Sequence, residues 1–586
     1  MHDRIGHRRS PQKPRRILLS GVFGPFGVDD EFGRKENIME LFHNQVTRGQ
    51  GVASFRFFHR SFGLYFLAAN VDADVTVLDF PSKKRFEREV AKGYDIVGIS
   101  FIAPNFLKAQ EMARITRRVA PTATIVVGGH GAAIEGVEQK IDCDHVVKGE
   151  GIRWLRRFLG QDPNAPIVHP TLPSSERSSI YGIPVPGTPA NLLVPGVGCV
   201  NGCKFCCTSH FFGREYSSFL STGAELFQVA RRIADETGTD EFFVQDENFL
   251  KDRKRALALI DEMERHDRHF SFHIFSSTEA IRAFGVDNLE RLGVTFVWIG
   301  VESSTPTGNY EKNAGLNAKA LIAELRSRGI IVLASGILCE EHHTQDNIQA
   351  EIDFMIDLQA DFVQFMLLTP LPVTTLYERH KSRGLLRMDL PYEEWHGQKM
   401  LSYRHPAFPG DSAQRWIDSA FRQEFEANSC SVYRATKTIF AGYQRLARSK
   451  KPLSSGLKAR KKLLEGWTRS WSQMLPGVAR LAVNATARQR ALELEQQIRA
   501  ALPLSVKERL LRKGATALSS TYKLKVQLLG DSKQPSTIVT RYRAGRRQPR
   551  PQLIPMESLT RSAAEARDEL VAAARIATEA PPVSYN

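Results

Sequence analysis

The chain has 586 residues, 42% of them apolar and 25% charged, with a formal net charge of +16. Length predicts more than one domain, and the composition excludes a disordered or fibrous chain. No run of 18 apolar residues occurs, so no transmembrane helix is predicted, and the basic stretch 1–16 lacks the apolar core of a secretory signal.

Charge and cysteine are unevenly spread. Between 434 and 550 about 27 Lys/Arg stand against 5 Asp/Glu, which leaves the rest of the chain mildly acidic. The seven cysteines, four of them within 199–207, do not form a disulfide framework. They predict a reducing, cytoplasmic setting.

Residues 15–165 read as a doubly wound α/β domain. Apolar strands are predicted at 16–20, 74–80, 95–102, 123–127 and 144–147, with helices at 62–69, 86–91 and 106–119. Continuous apolar strands alternating with amphipathic helices argue for a parallel sheet covered on both faces. Such sheets bind ligands at the C-terminal ends of their strands. Gly128-Gly129 and Gly149-Glu150-Gly151 lie there and allow close backbone approach. Residues 166–190 form a Pro- and Ser-rich linker. A second series then covers 191–395. Its strands at 192–194, 241–249, 270–276, 295–303, 330–338 and 361–368 give six β/α units. Residues 396–550 read as a helical basic region with amphipathic patterns, and 551–586 as a partly disordered tail.

Within the second series, Cys199, Cys203 and Cys206 stand in the order C-x3-C-x2-C in a turn containing Asn201 and Gly202. Soft thiolates select iron–sulfur, zinc or copper(I). A closed zinc site takes four ligands, as does a usual iron–sulfur cluster. Three cysteines leave one iron corner open. Cys207 is a poor fourth ligand, because adjacent side chains point apart. A zinc knuckle, or cysteines packed as small hydrophobes, remains the plainer alternative.

This spacing, with Phe205 before the last cysteine, resembles the cluster loop of radical S-adenosylmethionine enzymes. The resemblance implies a [4Fe-4S] cluster on Cys199, Cys203 and Cys206 and S-adenosylmethionine chelated at the open iron. Reductive cleavage would give a 5′-deoxyadenosyl radical that abstracts hydrogen from an unreactive carbon. It also implies a partial (β/α)6 barrel. On that barrel Gly300-Val301-Glu302-Ser303 matches the strand-four motif, placing Glu302 and Ser303 at the cosubstrate. Gln245, Asp246 and Glu247 fall near its amino group, Ser276 and Ser277 near carboxylate or ribose, and Ile337 against adenine.

The first domain resembles the cobalamin-binding domain that precedes many such barrels. Ser100 after the third strand, Gly128 and Gly129 after the fourth, and Glu150 are then the residues expected beside cobalamin. The family's Asp-x-His-x-x-Gly is absent: the loop reads Gly21-Val22-Phe23-Gly24-Pro25-Phe26-Gly27. Cobalt would take no histidine from this loop. His59 and His130 read as structural.

The expected function is cobalamin-dependent radical methyl transfer to an unactivated carbon or phosphinate. Alternatives are radical cyclisation, rearrangement or oxidation without methyl transfer, and a non-enzymatic, metal-stabilised nucleic-acid-binding protein. Expected partners are a small-molecule, lipid or peptide substrate, an electron donor such as flavodoxin or ferredoxin, and an anionic membrane surface under the basic helices. Nucleic acid is not expected as a partner of the enzyme.

Overall fold

The computed structural model describes residues 14–34, 47, 50, 59–173, 179–180, 183–184, 190–305, 317–529, 534–545 and 552–554. The first part of the chain runs β1 (Arg16–Gly21), α1 (Phe62–Ala69), β2 (Asp74–Asp79), α2 (Lys83–Val90), β3 (Ile96–Ser100), α3 (Phe106–Val119), β4 (Thr124–Gly128), α4 (Val137–Lys140), β5 (His145–Val146) and α5 (Gly151–Phe158). A short antiparallel pair follows, β6 (Ser179–Ile180) and β7 (Ile183–Pro184).

The second part runs β8 (Asn191–Leu193), β9 (Gly196–Gly198), α6 (Cys207–Phe211), β10 (Tyr216–Ser218), α7 (Gly223–Thr237), β11 (Glu241–Val244), α8 (Arg253–Arg265), β12 (Ser271–Ser276), α9 (Thr278–Phe284), α10 (Val286–Leu292), β13 (Val294–Glu302), α11 (Ala318–Ser327), β14 (Ile331–Leu338), α12 (Ile348–Asp357), β15 (Phe362–Leu367) and α13 (Thr375–Ser382). The third part holds α14 (Ser412–Asn428), α15 (Ser431–Ala447), α16 (Ser455–Ser472), α17 (Leu475–Arg480), α18 (Ala485–Ala501), α19 (Val506–Leu529), β16 (Thr537–Tyr542) and β17 (Gln552–Ile554).

The first sheet has the order β17-β16-β2-β1-β3-β4-β5. Strands β1 to β5 are parallel, and Ile17, Leu18, Val77, Val97, Ile125 and Val127 are buried in it. The strand order reverses between β1 and β3, so the ligand crevice of such a sheet opens beyond Gly21 and Ser100, which lie side by side. Strand β16 adds antiparallel to β2, from a region whose sequence predicts only helices. The side chains of Ile538 and Val539 enter the core of the first domain there.

The second sheet has the order β15-β14-β13-β12-β11-β8, and every neighbouring pair is parallel. Alternation along the strands separates two apolar faces. Val297, Ile299, Val332 and Val363 pack among residues of α7 to α12, while Phe296, Trp298, Leu333 and Phe362 pack against α15 and α16. The latter sit low on the strands, so the basic helices cover that end and leave the C-terminal ends free for chemistry. Arg460 of α16 is buried there and donates to the carbonyl oxygens of Val294, Arg328 and Gly329. Part of the third region's positive charge is therefore structural.

The expected linker is partly built in. His169 is buried and accepts the Val194 amide at Nε2, and Leu172 pairs with Leu192. Residues 174–178, 181–182 and 185–189, and the expected tail apart from 552–554, lie outside the described residues. Among the described residues no helix is long and apolar enough to cross a membrane.

Candidate functional site

The cysteine turn connects β9 to α6. Gly198 and Gly202 have φ of +94° and +67°, and a Cβ at Gly198 would meet the Glu215 carbonyl oxygen. The buried Ser209 hydroxyl donates to the Cys199 carbonyl at 2.6 Å and accepts the Gly202 amide at 3.1 Å. The Cys206 amide returns to the Cys203 carbonyl. On the far side the Leu376 amide, in the first turn of α13, donates to the Lys204 carbonyl at 2.9 Å. The turn is thus tied to the helix that follows the sixth parallel strand. Phe205 packs against the apolar core of the same sheet.

Cys199, Cys203 and Cys206 are partly buried and close enough to influence one another's ionisation. Burial is the main effect: it raises the Cys199 thiol and pushes Cys206 up to about 12, and the neighbouring Glu247 and cysteines raise both further. Such thiols ionise readily only against a cation, which suits ligands that lose their protons as metal binds. Burial alone pushes Cys207 up to about 12. Among the described residues no three His, Cys, Asp or Glu side chains converge as ligands of a single metal ion.

Around this turn stand the C-terminal ends of β11 to β14. Glu247 is open to solvent yet walled by protein, and that burial with Asp246 raises its carboxyl, opposed by a hydrogen bond from Thr208. Its neighbour Asp246 is committed elsewhere. Asp246 accepts from Tyr216 Oη at 2.7 Å and from Arg255 at 2.8 Å, and Arg255 also donates to Tyr216 Oη. All three are buried or half-buried. This network fixes the loop that carries Gln245 and Glu247.

Ser276 is buried and donates to Asn248 Oδ1 at 2.9 Å, and Asn248 also donates to Ser277 Oγ at 3.2 Å. Glu302 is buried at the end of β13 with φ +66°, beside a register shift against β14. A non-glycine residue held there stores about 1–3 kcal/mol of strain, which proteins keep mainly at functional positions. The Ser303 hydroxyl donates to buried Glu351 of α12 at 3.0 Å, and the Ser304 amide donates to the same carboxylate at 2.8 Å. Ile337 is buried within β14.

Glu351, Asn248 and Ser209 escaped the sequence reading. Only Glu351 left a signal: it is a carboxylate on the apolar face formed by Ile348, Ile352 and Met355.

In the first domain the Gly-rich end is shaped by its own chain. Gly129 has φ +83°, and a Cβ there would lie 2.6 Å from the Phe101 carbonyl oxygen and 3.0 Å from Ser100 Oγ. Gly128 pairs with Ser100 across β3 and β4. The Glu150 carboxylate caps α5, accepting the amides of Ile152 and Arg153, so its side chain supports the strand end. In the loop after β1, Val22, Phe23 and Phe26 are buried, and Gln534 exchanges two hydrogen bonds of 2.8 Å with the Phe26 backbone. Burial lowers both His59 and His130 to about 4, keeping the imidazoles neutral. His59 packs near Phe243, and His130 stands over Phe211 and Phe212 of the cluster-side segment.

The two strand-end regions therefore meet at α6. Ala132 and Ala133 pack on Phe211, five residues beyond Cys206. Lys381 of α13 also bonds Glu135 at 2.6 Å.

Residues 51–158 match the B12-binding domain family. The chain is 23% identical over 367 residues to an uncharacterized methyltransferase of Pyrococcus horikoshii, covering 55% of this chain and 79% of that protein. It is 25% identical over 334 residues to bacteriochlorophyllide d C-12(1)-methyltransferase of Chlorobaculum tepidum, covering 53% and 71%. A solved structure of the radical S-adenosylmethionine methyltransferase TsrM from Kitasatospora setae, with cobalamin and [4Fe-4S] cluster bound, is 16% identical with a TM-score of 0.49, covering 77% of this chain and 99% of that one. Residues 51–158 thus carry a B12-binding domain, and over about half of its length the chain is similar to methyltransferases, which marks it as an enzyme. Both curated relatives named here are methyltransferases.

Proposed function

We propose that the chain transfers a methyl group to an unactivated carbon or phosphinate, using a [4Fe-4S] cluster, S-adenosylmethionine and cobalamin. One observation carries this reading: the three-cysteine turn leads into α6, whose Ser209 bonds that turn and whose Phe211 packs on His130, Ala132 and Ala133 just beyond the Gly-rich end of the first sheet. Cys199, Cys203 and Cys206 would hold the cluster, whose open iron supplies reductive cleavage of the sulfonium. Within a partial (β/α)6 barrel over 191–395, the carboxylates of Glu247 and Glu302 would accept from cosubstrate amino or hydroxyl donors. Gln245, Ser276, Ser303 and Ile337 complete that rim, with Asn248 and Glu351 holding two of them in position.

The domain over 15–165 would seat cobalamin at the switch point, with Ser100, Gly128 and Gly129 lining its approach and Glu150 fixing the strand end. Residues 166–190 connect it to the barrel, 396–550 form the basic helical region, and 551–586 extend beyond. The substrate is a small molecule, lipid or peptide, and a flavodoxin- or ferredoxin-type protein delivers the electron.

The test is anaerobic reconstitution followed by iron, sulfide and cobalamin analysis, then incubation with S-adenosylmethionine and a reductant. About four iron, one cobalamin and release of 5′-deoxyadenosine are expected. One zinc per chain without sulfide, or a full cluster that never cleaves the sulfonium, overturns the reading. Cleavage with an empty first domain overturns the methyl-transfer part alone.

A further inference from the structure

Helix α19 is amphipathic in the reverse sense for a helix on a protein surface. The positions turned toward the body are mostly polar, apart from half-buried Ala515 and Tyr522, the latter packed on the core formed by α15, α17 and α18. Arg512 pairs with Glu495 at 2.5 Å, Ser519 is fully buried, and Glu508 lies 3.8 Å from Arg469. The positions turned outward are apolar: Val506, Leu510, Leu511, Leu518 and Leu524 are 70, 66, 52, 45 and 56% exposed. At 3.6 residues per turn, Val506, Leu510 and Leu524 form one stripe, with Leu511 and Leu518 beside it. The helix also carries six Lys/Arg against one Glu.

We propose that α19 docks the protein on a bilayer surface containing anionic lipid. The occupant must cover leucines and neutralise cations together. An anionic bilayer does both, taking the apolar stripe at the acyl boundary and the flanking cations at the phosphates. A second copy of the chain would cover the leucines but bring two basic helices together. Nucleic acid would meet the cations and leave the leucines wet. The helix of 24 residues lies along the surface, since no described helix can cross a membrane. This inference does not depend on the proposed reaction.

The experiment is co-sedimentation of the full chain with phosphatidylcholine vesicles, with and without phosphatidylglycerol. Binding to the anionic vesicles alone is expected, weakening as salt rises. The variant Leu510→Gln/Leu518→Gln should lose about tenfold or more in affinity at an unchanged melting temperature, because both side chains are exposed. A separate variant, Lys513→Gln/Lys523→Gln, should lose binding to anionic vesicles in proportion to the removed charge. The proposal is overturned if wild type ignores anionic vesicles, if the leucine variant binds as wild type does, or if light scattering shows a leucine-dependent dimer without vesicle binding. Salt-sensitive binding to duplex DNA that the leucine variant retains, with no vesicle binding, also overturns it.

Discussion

His130 and Phe211 lie ring against ring, with centroids 4.7 Å apart and planes tilted by 31°. One follows β4 of the first sheet, and the other ends α6, directly after the cysteine turn. Two strand-end regions that could have faced separate solvent are thereby held in one register. Neutral His130 suits this contact, because burial has already removed its charge.

That contact yields the first prediction. Phe211→Ala should cost about 3–5 kcal/mol of stability, the range for truncating a buried aromatic ring. Cluster and cobalamin contents should stay near those of wild type, while product formed per 5′-deoxyadenosine falls. Calorimetry, metal analysis and mass spectrometry of the two products check it. An unchanged product ratio would mean that the packing at α6 has no bearing on coupling.

The cysteines divide cleanly in a second prediction. Ala at Cys199, Cys203 or Cys206 should each abolish cluster assembly, because three ligands are the minimum the turn supplies. Ala at Cys207 should leave iron and sulfide content unchanged, since burial alone governs that thiol. Iron and sulfide assays with visible absorbance distinguish the outcomes. Loss of the cluster in Cys207→Ala would make it a ligand and close the open corner.

Much of this was legible before any coordinates. Apolar strands separated by amphipathic helices gave both parallel series, because a strand buried on two faces needs continuous Val, Ile and Phe. The cysteine turn was legible because its spacing is local. What was hidden depends on distant partners. Thr537–Tyr542 is rich in β-branched residues, as strands are, but it lies in a basic helical region and pairs with a strand more than 450 residues earlier. Likewise Asp246 reads as a cosubstrate contact until Arg255 and Tyr216 are seen holding it. Glu150 reads as ligand-facing until its carboxylate is found on the first turn of α5.

The late strand gives a third prediction. Gln534→Ala removes both hydrogen bonds to the Phe26 backbone and should destabilise the first domain by about 1–2 kcal/mol. Ile538→Glu places a charge in its core and should cost more, with loss of cobalamin binding. Limited proteolysis should then cut near β2, whose edge is exposed. Full cobalamin binding by Ile538→Glu would show that β16 is dispensable to that domain.

The contact between the first and second regions should also be acid-sensitive, through Glu394. Its carboxyl is lowered from 4.5 to about 2, first by the His396 imidazole, 3.8 Å away, and then by Arg34, whose Nε donates to it at 2.6 Å. A carboxyl depressed in the folded state contributes stability that is complete above its unfolded value of 4.5 and is lost as pH falls toward 2. Chemical denaturation of the protein before cluster assembly should therefore show a midpoint that declines across this window. Glu394→Gln should lower stability at pH 7 and flatten the decline, because the neutral amide has no charge to lose. At the acid end the two proteins should converge. A variant that keeps the full acid sensitivity of wild type would place its source in other carboxylates and leave the Arg34–Glu394 pair without a part in holding the regions together.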